Sequence, residues 1–296
     1  MSKIMRKLEK LFEEKYKYLI FVPLILLLLS FLVLGVNYYK YGEIINKDVS
    51  LKGGITATIY TSYDVTKFEQ ALREKYDNAD ISVRKLSNFG TSEQKGIILD
   101  VSGIEEEELT NFINDLGIET NNENYSIEQI GSSLGQSFYR QTTLAIFFAF
   151  VLMALVVFLM FRTVIPSIAV VFAAFFDMIF TVAILDLMHI KISISGIAAL
   201  LLLIGYSIDT DILLTNRVLR RNEGTVFERV IDSMKTGLTM VIAAMAALIA
   251  GIILVPGSEV IRLMFTIILI GLVADIIATY GFNAGILRWY VEKYKR

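Results

Sequence analysis

The sequence predicts an α-helical membrane protein with six spans and one α+β domain inserted after the first span. Of the 296 residues, 55% are hydrophobic and the mean hydropathy is +0.59, whereas soluble proteins are about 45–50% apolar. Six stretches reach the roughly 20 apolar residues that a membrane helix needs. Residues 37–141 contain no such stretch and alternate strand-like with helix-like patterns.

The six predicted spans are long apolar runs with few charges. Span one has an apolar run too long for a cleaved leader, and no small-x-small cleavage site follows it before residues 37–39, so a retained anchor is expected. Residues 142–287 form a predicted five-helix bundle between polar ends at 1–17 and 288–296. Spans one to six are residues 18–36, 142–161, 165–185, 192–215, 237–255 and 261–287.

The orientation of the spans is predicted from the basic residues in their short flanks, because Lys and Arg accumulate on the cytoplasmic side. The two loops on the opposite side contain only Lys191 and Arg262. We therefore expect a plasma-membrane protein with both termini cytoplasmic and residues 37–141 outside. The flanking basic residues include Lys3, Arg6, Lys7, Lys10, Lys15, Lys17, Arg162, Arg217, Arg220, Arg221, Arg229, Lys235, Arg288, Lys293, Lys295 and Arg296.

The polar segment has the element order strand, helix, strand, strand, helix, strand. β-Branched runs predict strands at 55–61, 81–86, 96–101 and 125–130. Apolar residues at helical spacing predict helices at 65–75 and 104–116. This order is that of the ferredoxin-like unit, which by itself indicates no function. The acidic run 105–108 is interpreted as a solvated helix start.

Composition excludes several classes of function. The net charge is −2, so no global basic field indicates a nucleic-acid partner. The absence of cysteine excludes disulfides, zinc-thiolate sites and cysteine nucleophiles. His189 is the only histidine, which argues against a His-based catalytic triad or a multi-histidine metal site. We expect no cofactor and no metal.

Four carboxylates lie inside apolar spans and need an explanation. Asp177 is near the middle of span three, Asp275 is near the middle of span six, and Asp209 and Asp211 are in the cytoplasmic half of span four. An ionised side chain in a bilayer costs at least a few kcal/mol. One interpretation is that these groups are protonated and hydrogen-bonded within the bundle. The other is a proton- or ion-responsive relay, the default hypothesis for such groups.

Helical geometry separates the two carboxylates of span four. Residues two apart differ by about 200° around a helix, so Asp209 and Asp211 cannot share a face. We expect one to face the bundle interior and the other to be sheltered by a different helix or a partner protein. The face of Asp209 includes Gly205, Tyr206 and Asn216, and that of Asp211 includes Ser207 and Thr215; Ser207, Thr210 and Tyr280 are candidate hydrogen-bond partners.

Motifs along almost the whole chain resemble those of the SecD/SecF family of protein-export membrane proteins, within it the SecF type. The span-four motif "GYSIDTDILLTNRVLR", which begins at Gly205, Tyr206 and Ser207, is the most specific. The segment "DVSLKGGITATIY" carries the paired glycines Gly53 and Gly54. Further matching segments are "IGSSLGQSFYRQTTLAI", "TGLTMVIAAM", "PGSEVIRLMFTIILIG" and "ATYGFN". The resemblance also implies the RND superfamily.

One departure from the bacterial family pattern bears on the site. Where bacterial SecF has Asn-Asp, this chain has Asp209-Thr210, which is closer to the SecD form. We interpret this difference as a sign of an archaeal-type SecF. By motif position the resemblance implies roles in proton-driven work for Asp209 and Arg262. Asp211, Asp177 and Asp275 enter as candidates from the physical argument alone. For Asp211 we expect shelter at an interface with SecD.

The resemblance implies a subunit that pairs with SecD and assists Sec-dependent translocation, driven by proton or sodium flow. The implied partners are SecD, the Sec translocon channel, the translocating unfolded chain and membrane lipid. No covalent chemistry is implied, so we expect no enzyme activity and no cofactor.

Two alternatives remain beside this interpretation. The chain could be half of another RND-like ion-coupled exporter. An intramembrane aspartyl protease would pair Asp177 with Asp209 as a dyad that shares a proton, but the Gly-x-Gly-Asp signature is missing before Asp209.

Overall fold

Six helices in the computed structural model are long and apolar enough to cross a membrane. The structure describes residues 16–77, 79–87, 94–121, 123–221, 223–255 and 258–294, so most of the predicted segment 1–17 lies outside the described residues. The helices match the six predicted spans but are longer, and they confirm the predicted fold class. They cover Tyr16–Lys40, Ser132–Phe161, Val164–Leu187, Ile194–Arg220, Val226–Leu254 and Val260–Tyr294.

The elements follow one another in the predicted order. In spans one to five, the regular helices are α1 (Phe21–Tyr41), α5 (Ser132–Phe161), α6 (Val164–Leu187), α7 (Ile194–Arg220) and α8 (Val226–Leu254). Span six consists of α9 (Glu259–Ile277), a π-helical segment (Ala278–Asn283) and α10 (Ala284–Tyr294). Between spans one and two lie α2 (Val49–Lys52), β1 (Gly54–Ile59), α3 (Val65–Lys75), β2 (Asp80–Ser87), β3 (Gln94–Ser102), α4 (Glu106–Asp115) and β4 (Tyr125–Ile130).

The polar segment forms a ferredoxin-like domain. Its four strands have the order β2-β3-β1-β4, and every neighbouring pair is antiparallel. Alternate residues of β1 are buried because one face of the sheet is covered by α3 and α4. The acidic start of α4 is exposed, as predicted, and lies in the first turn, where the helix dipole favours negative charge.

Spans three, four and six form the centre of the helical bundle. Span six packs against spans three, four and five, and span one packs against span three. Side chains such as Phe176, Leu185 and Leu203 are fully buried at these contacts. We call the end of the bundle that carries the ferredoxin-like domain the domain side, and the other end the distal side.

The π-helical segment changes the register of span six after its buried carboxylate. It covers Ala278–Asn283, the motif "ATYGFN" noted above. A π-helical turn contains one residue more than an α-turn and often occurs at functional sites. Four of its residues, including Tyr280 and Asn283, are buried.

The paired glycines lie where the domain meets span two. Gly53 follows α2 with φ 86° and ψ 150°, and Gly54 begins β1. A Cβ on Gly53 would lie 2.4 Å from the Cα of Ser132, the first residue of span two. A Cβ on Gly135, one turn later, would lie 2.6 Å from the backbone nitrogen of Gly53. These glycines allow the two backbones to touch.

Candidate functional site

Three of the four candidate carboxylates meet inside the bundle. Asp177 of span three, Asp211 of span four and Asp275 of span six have exposed fractions of 1%, 0% and 1%. The carboxyl group of Asp275 is close enough to those of Asp177 and Asp211 to interact electrostatically with both. The three groups therefore form one cluster, the carboxyl cluster, to which three spans contribute.

Span three contributes Asp177, which is tied to span four through a hydroxyl. Ser207 donates to Asp177 Oδ2 at 2.5 Å. The other carboxyl oxygen, Oδ1, is buried and has no hydrogen-bond partner among the described residues. Ser207 was one of the three predicted partners, and the structure places it beside Asp177.

Span six contributes Asp275, which is held by two threonines. Thr210 Oγ1 lies 2.9 Å from each carboxyl oxygen of Asp275, and Thr279 donates to Oδ1 at 3.0 Å. Thr210 Oγ1 also lies 2.8 Å from the backbone carbonyl of Ser207. Thr210, the second predicted partner, thus bridges spans four and six.

The Thr210 hydroxyl can alternate between two bonding states. It has one hydrogen and two lone pairs. When Asp275 is ionised, the hydroxyl can donate to the carboxylate. When Asp275 is protonated, the acid can donate to Thr210, and Thr210 can donate onward to the carbonyl of Ser207. The geometry therefore permits a proton to reside on Asp275 or leave it without loss of the hydrogen bond between Asp275 and Thr210.

Span four contributes Asp211, which is held by the π-helical segment of span six. Asn283 Nδ2 donates to Asp211 Oδ1 at 2.7 Å. Asp211 Oδ2, Thr215 Oγ1 and Asn283 Oδ1 are buried and have no hydrogen-bond partner among the described residues. Tyr280, the third predicted partner, has a buried hydroxyl that is equally unbonded within the described part of the chain.

The cluster is composed of oxygen-bearing groups and one amide. Within the shorter apolar stretches predicted from the sequence, spans two to six contain no Lys, Arg or His except Arg262 at the start of span six. Within the described ranges, no group of three or more His, Cys, Asp or Glu side chains could hold a metal ion. The carboxyl groups of such a site can bind protons.

Asp209 lies outside the cluster. It is exposed on the surface of span four beside Gly205 and Tyr206, and Tyr206 is 45% exposed. We expected a partner protein to shelter Asp211, and this assignment is wrong: Asp211 is buried within the bundle and bonded to Asn283 of span six, whereas Asp209 is the exposed group. The split of the two carboxylates between opposite faces is as predicted.

Arg262 is not near the carboxyl cluster. It is exposed on the first turns of span six, at the domain side. At 1.5 Å per residue it lies about 20 Å along the helix from Asp275. Its role in ion flow stays a prediction from the motif.

The structure also adds residues that sequence reasoning missed. Thr279 and Asn283 bind two of the three carboxylates. Together with Asp275 they recur every four residues, which is the spacing of one helix face. Polar residues at this spacing in an apolar span were the signal that could have identified them.

The pairing required for an aspartyl protease is not formed. Asp177 faces Ser207 inside the bundle, whereas Asp209 is exposed on another face of span four. The two carboxylates do not share a proton in this arrangement.

Comparison with known proteins identifies relatives along the whole chain. Residues 113–293 match the family model "Protein export membrane protein SecD/SecF, C-terminal". The "Protein-export membrane protein SecF" of Methanothermobacter thermautotrophicus is 38% identical over 94% of this chain and 94% of its own length. The protein of the same name from Pyrococcus furiosus is 36% identical over 98% of this chain and 96% of its own length.

A solved structure has the same fold. SecDF from Thermus thermophilus, a translocon-associated membrane protein, superposes with a TM-score of 0.71 over 93% of this chain at 20% identity. This chain spans 38% of the length of that protein. The full-length similarity to archaeal relatives, the family match and the shared fold lead to one conclusion. The chain belongs to the SecD/SecF family of protein-export membrane proteins and, within it, to the SecF members.

Proposed function

We propose that this chain is the SecF-type half of a SecD/SecF complex that assists Sec-dependent translocation and is driven by proton or sodium flow through the carboxyl cluster. The proposal is supported chiefly by one observation: three carboxyl groups from three spans are buried together, two of them bonded to hydroxyls and the third, Asp211, to the amide of Asn283. Three uncompensated charges cannot be buried side by side at an acceptable free energy. We propose that the cluster binds protons or a cation and that its occupancy changes during the export cycle.

The exposed Asp209 supports a partner that is also embedded in the membrane. A carboxylate on the surface of a span would face lipid, where it costs at least a few kcal/mol. A polar group from a second helical bundle would remove that cost. A solved protein with the same fold is a SecDF protein, so SecD is the partner we propose for this face. The Sec channel and the translocating chain are the further proposed partners.

The ferredoxin-like domain is the proposed contact for the translocating chain. We propose that it lies outside the membrane and that both termini lie in the cytoplasm, because the distal side carries most of the basic residues in short loops. Ion binding in the bundle would then be coupled to movement of this domain in one export cycle.

The proposal is tested by measuring export in membrane vesicles that contain the complex. Asp211→Asn and Asp275→Asn keep the side-chain shape but remove the ionisable group. We expect each to slow export at least about tenfold, which corresponds to a barrier about 1.4 kcal/mol higher. An imposed proton or sodium gradient should accelerate export by the unmodified complex but not by the two cluster variants.

Asp232→Asn is the matched control. Asp232 lies on the exposed surface of span five near its distal end, so the same chemical change should leave export unchanged. Wild-type export by both cluster variants, at normal protein levels, would refute the proposed ion coupling. Normal export combined with loss of small-molecule efflux would favour the alternative of an RND-like exporter.

A further inference from the structure

The connection between spans three and four is joined to the ferredoxin-like domain by backbone hydrogen bonds. The Ile192 N–H donates to the carbonyl of Asn46 at 2.7 Å, and the Asp48 N–H donates to the carbonyl of Ile192 at 3.0 Å. Lys47 and Ile192 thereby form a parallel β-bridge. The short linker that leads from span one into the domain is thus paired with the loop that leads into span four.

Side chains at the end of span three strengthen this junction. Asp186 Oδ1 accepts hydrogen bonds from Asn37 Nδ2 at 2.8 Å and from Asn46 Nδ2 at 2.6 Å. Asn37 belongs to span one and Asn46 to the linker. Asp186 is therefore a single acceptor that holds the ends of two spans and the linker together.

One ion pair connects the sheet of the domain directly with the membrane bundle. Asp80, the first residue of β2, accepts from Lys191 Nζ at 2.6 Å and from Lys52 Nζ at 3.0 Å. Lys191 lies in the loop before span four, and Lys52 also pairs with Glu43 at 3.1 Å. Burial by itself would raise the pKa of Asp80, but the two lysines bring it below its ordinary value of 3.8.

Apolar packing closes the junction beneath these polar groups. Leu51 of α2 and Ile192 are both about 98% buried and belong to the same core as side chains of spans three, four and six. The domain is therefore not suspended on two flexible tethers. It is attached to the loop between spans three and four at several points.

We propose that Lys191 and Asp80 are positioning residues that fix the ferredoxin-like domain to the ends of spans three and four, so that the domain moves together with the two helices that carry Asp177 and Asp211. We call this attachment the clamp; it consists of Asn46, Asp80, Asp186, Lys191 and Ile192. Span three connects Asp186 with Asp177 through about 14 Å of continuous helix, and a helix transmits a shift along its axis. The inference rests on the proposed function for its purpose, but the attachment can be measured separately.

The attachment is tested by distance measurements on the full chain. The sequence contains no cysteine, so spin labels can be placed at two introduced cysteines, at the exposed positions Glu107 in α4 and Ile253 in span five. Lys191→Ala should broaden the distance distribution between the labels at least about twofold, because small interdomain contacts permit motion. Lys191→Arg should restore the narrow distribution.

Two further variants keep the test interpretable. Lys67→Ala removes an exposed lysine of the same domain and should not change the distribution. Asp80→Asn preserves the shape of the side chain but removes its charge, and it should broaden the distribution if Lys191→Ala proves unstable. An unchanged distribution in both clamp variants would overturn the attachment.

The positioning role of Lys191 and Asp80 is tested by measuring the rate of export in vesicles. Lys191→Ala should slow export about threefold, and Lys191→Arg should restore it. A broadened distribution with wild-type export would overturn the positioning role. A failure of the proposed function is distinguishable, because Asp211→Asn would then leave export unchanged, whereas the label distances would still report the clamp.

Discussion

Two aspartates separated by one residue have opposite surroundings in span four. Asp211 is fully buried and bonded to Asn283, whereas Asp209 is exposed beside Tyr206. The difference follows from the helical angle between them. The same motif can therefore serve both an internal site and an interface, and the chemistry of each carboxylate is set by its neighbours.

A single glycine makes room for Tyr280 beside the cluster. A Cβ on Gly237 of span five would lie 2.0 Å from the hydroxyl oxygen of Tyr280 and 3.3 Å from its Cζ, so the rigid ring would have to move as a whole. We expect Gly237→Ala to lower the free energy of unfolding by about 1–3 kcal/mol, the usual cost of overpacking. Denaturant unfolding in detergent measures the change.

Gly205→Ala is the matched control for this substitution. Gly205 is also inside a span, but a Cβ there would meet no heavy atom within 4 Å. Because Gly in a helix is less favourable than Ala by roughly 0.5–1 kcal/mol, Gly205→Ala should be neutral or stabilising. Equal destabilisation by both variants would contradict the steric explanation.

At the scale of elements, the junction between α2 and span two depends on the backbone of Gly53. The position combines a φ of 86° with a Cβ distance of 2.4 Å to Ser132. Gly103 has a similar φ of 90° but open space around it. We expect Gly103→Ala to cost about 1–3 kcal/mol from backbone strain alone, and Gly53→Ala to cost at least about 1 kcal/mol more from the clash.

Thermal unfolding of the two variants separates strain from crowding. Because both glycines have positive φ, the backbone strain is similar in the two variants. The difference between their losses of stability therefore measures the contact of residue 53 with span two. A larger loss of stability in Gly103→Ala than in Gly53→Ala would contradict the proposed close approach.

The sequence predicted the elements well because each had a local cause. Alternation in β1 and apolar runs in the spans are determined by residues close in the chain. Span two begins at Ser132 instead of residue 142, because its first turns are polar and hydropathy does not detect a helix that extends beyond the bilayer. The apolar pattern of span six also did not predict that residues Ala278–Asn283 form a π-helical segment.

The site was only partly predictable. Membrane burial identified Asp177, Asp211 and Asp275 as groups that need partners, but their mutual contact depends on how spans three, four and six pack. That packing brings Thr210 to Asp275 and Asn283 to Asp211 across 65 and 72 residues of chain. No single-helix pattern contains this information, which is why the shelter of Asp211 was assigned to the wrong surface.

At the scale of the whole molecule, charge is arranged differently at the two ends of the bundle. On the domain side, Lys52 and Lys191 are paired with Asp80. On the distal side, Arg217 and Arg220 donate to the backbone carbonyls of Asp232 and Met160, which are neutral acceptors. Distal basic residues are ion-paired as well, for example Arg288 with Glu292, so the two ends differ in how many Lys and Arg they carry, and an excess of these residues in short loops favours the cytoplasmic side.

This asymmetry predicts that the domain and the loop between spans four and five lie on opposite sides of the membrane. In the cysteine-free chain, Glu107→Cys places a thiol on the domain and Glu223→Cys places one in the distal loop; both positions are exposed. A membrane-impermeant maleimide added to intact cells should modify the first and reach the second only after permeabilisation. The reverse labelling pattern would invert the orientation, and it would place the ferredoxin-like domain where it could not meet a chain emerging on the outer side.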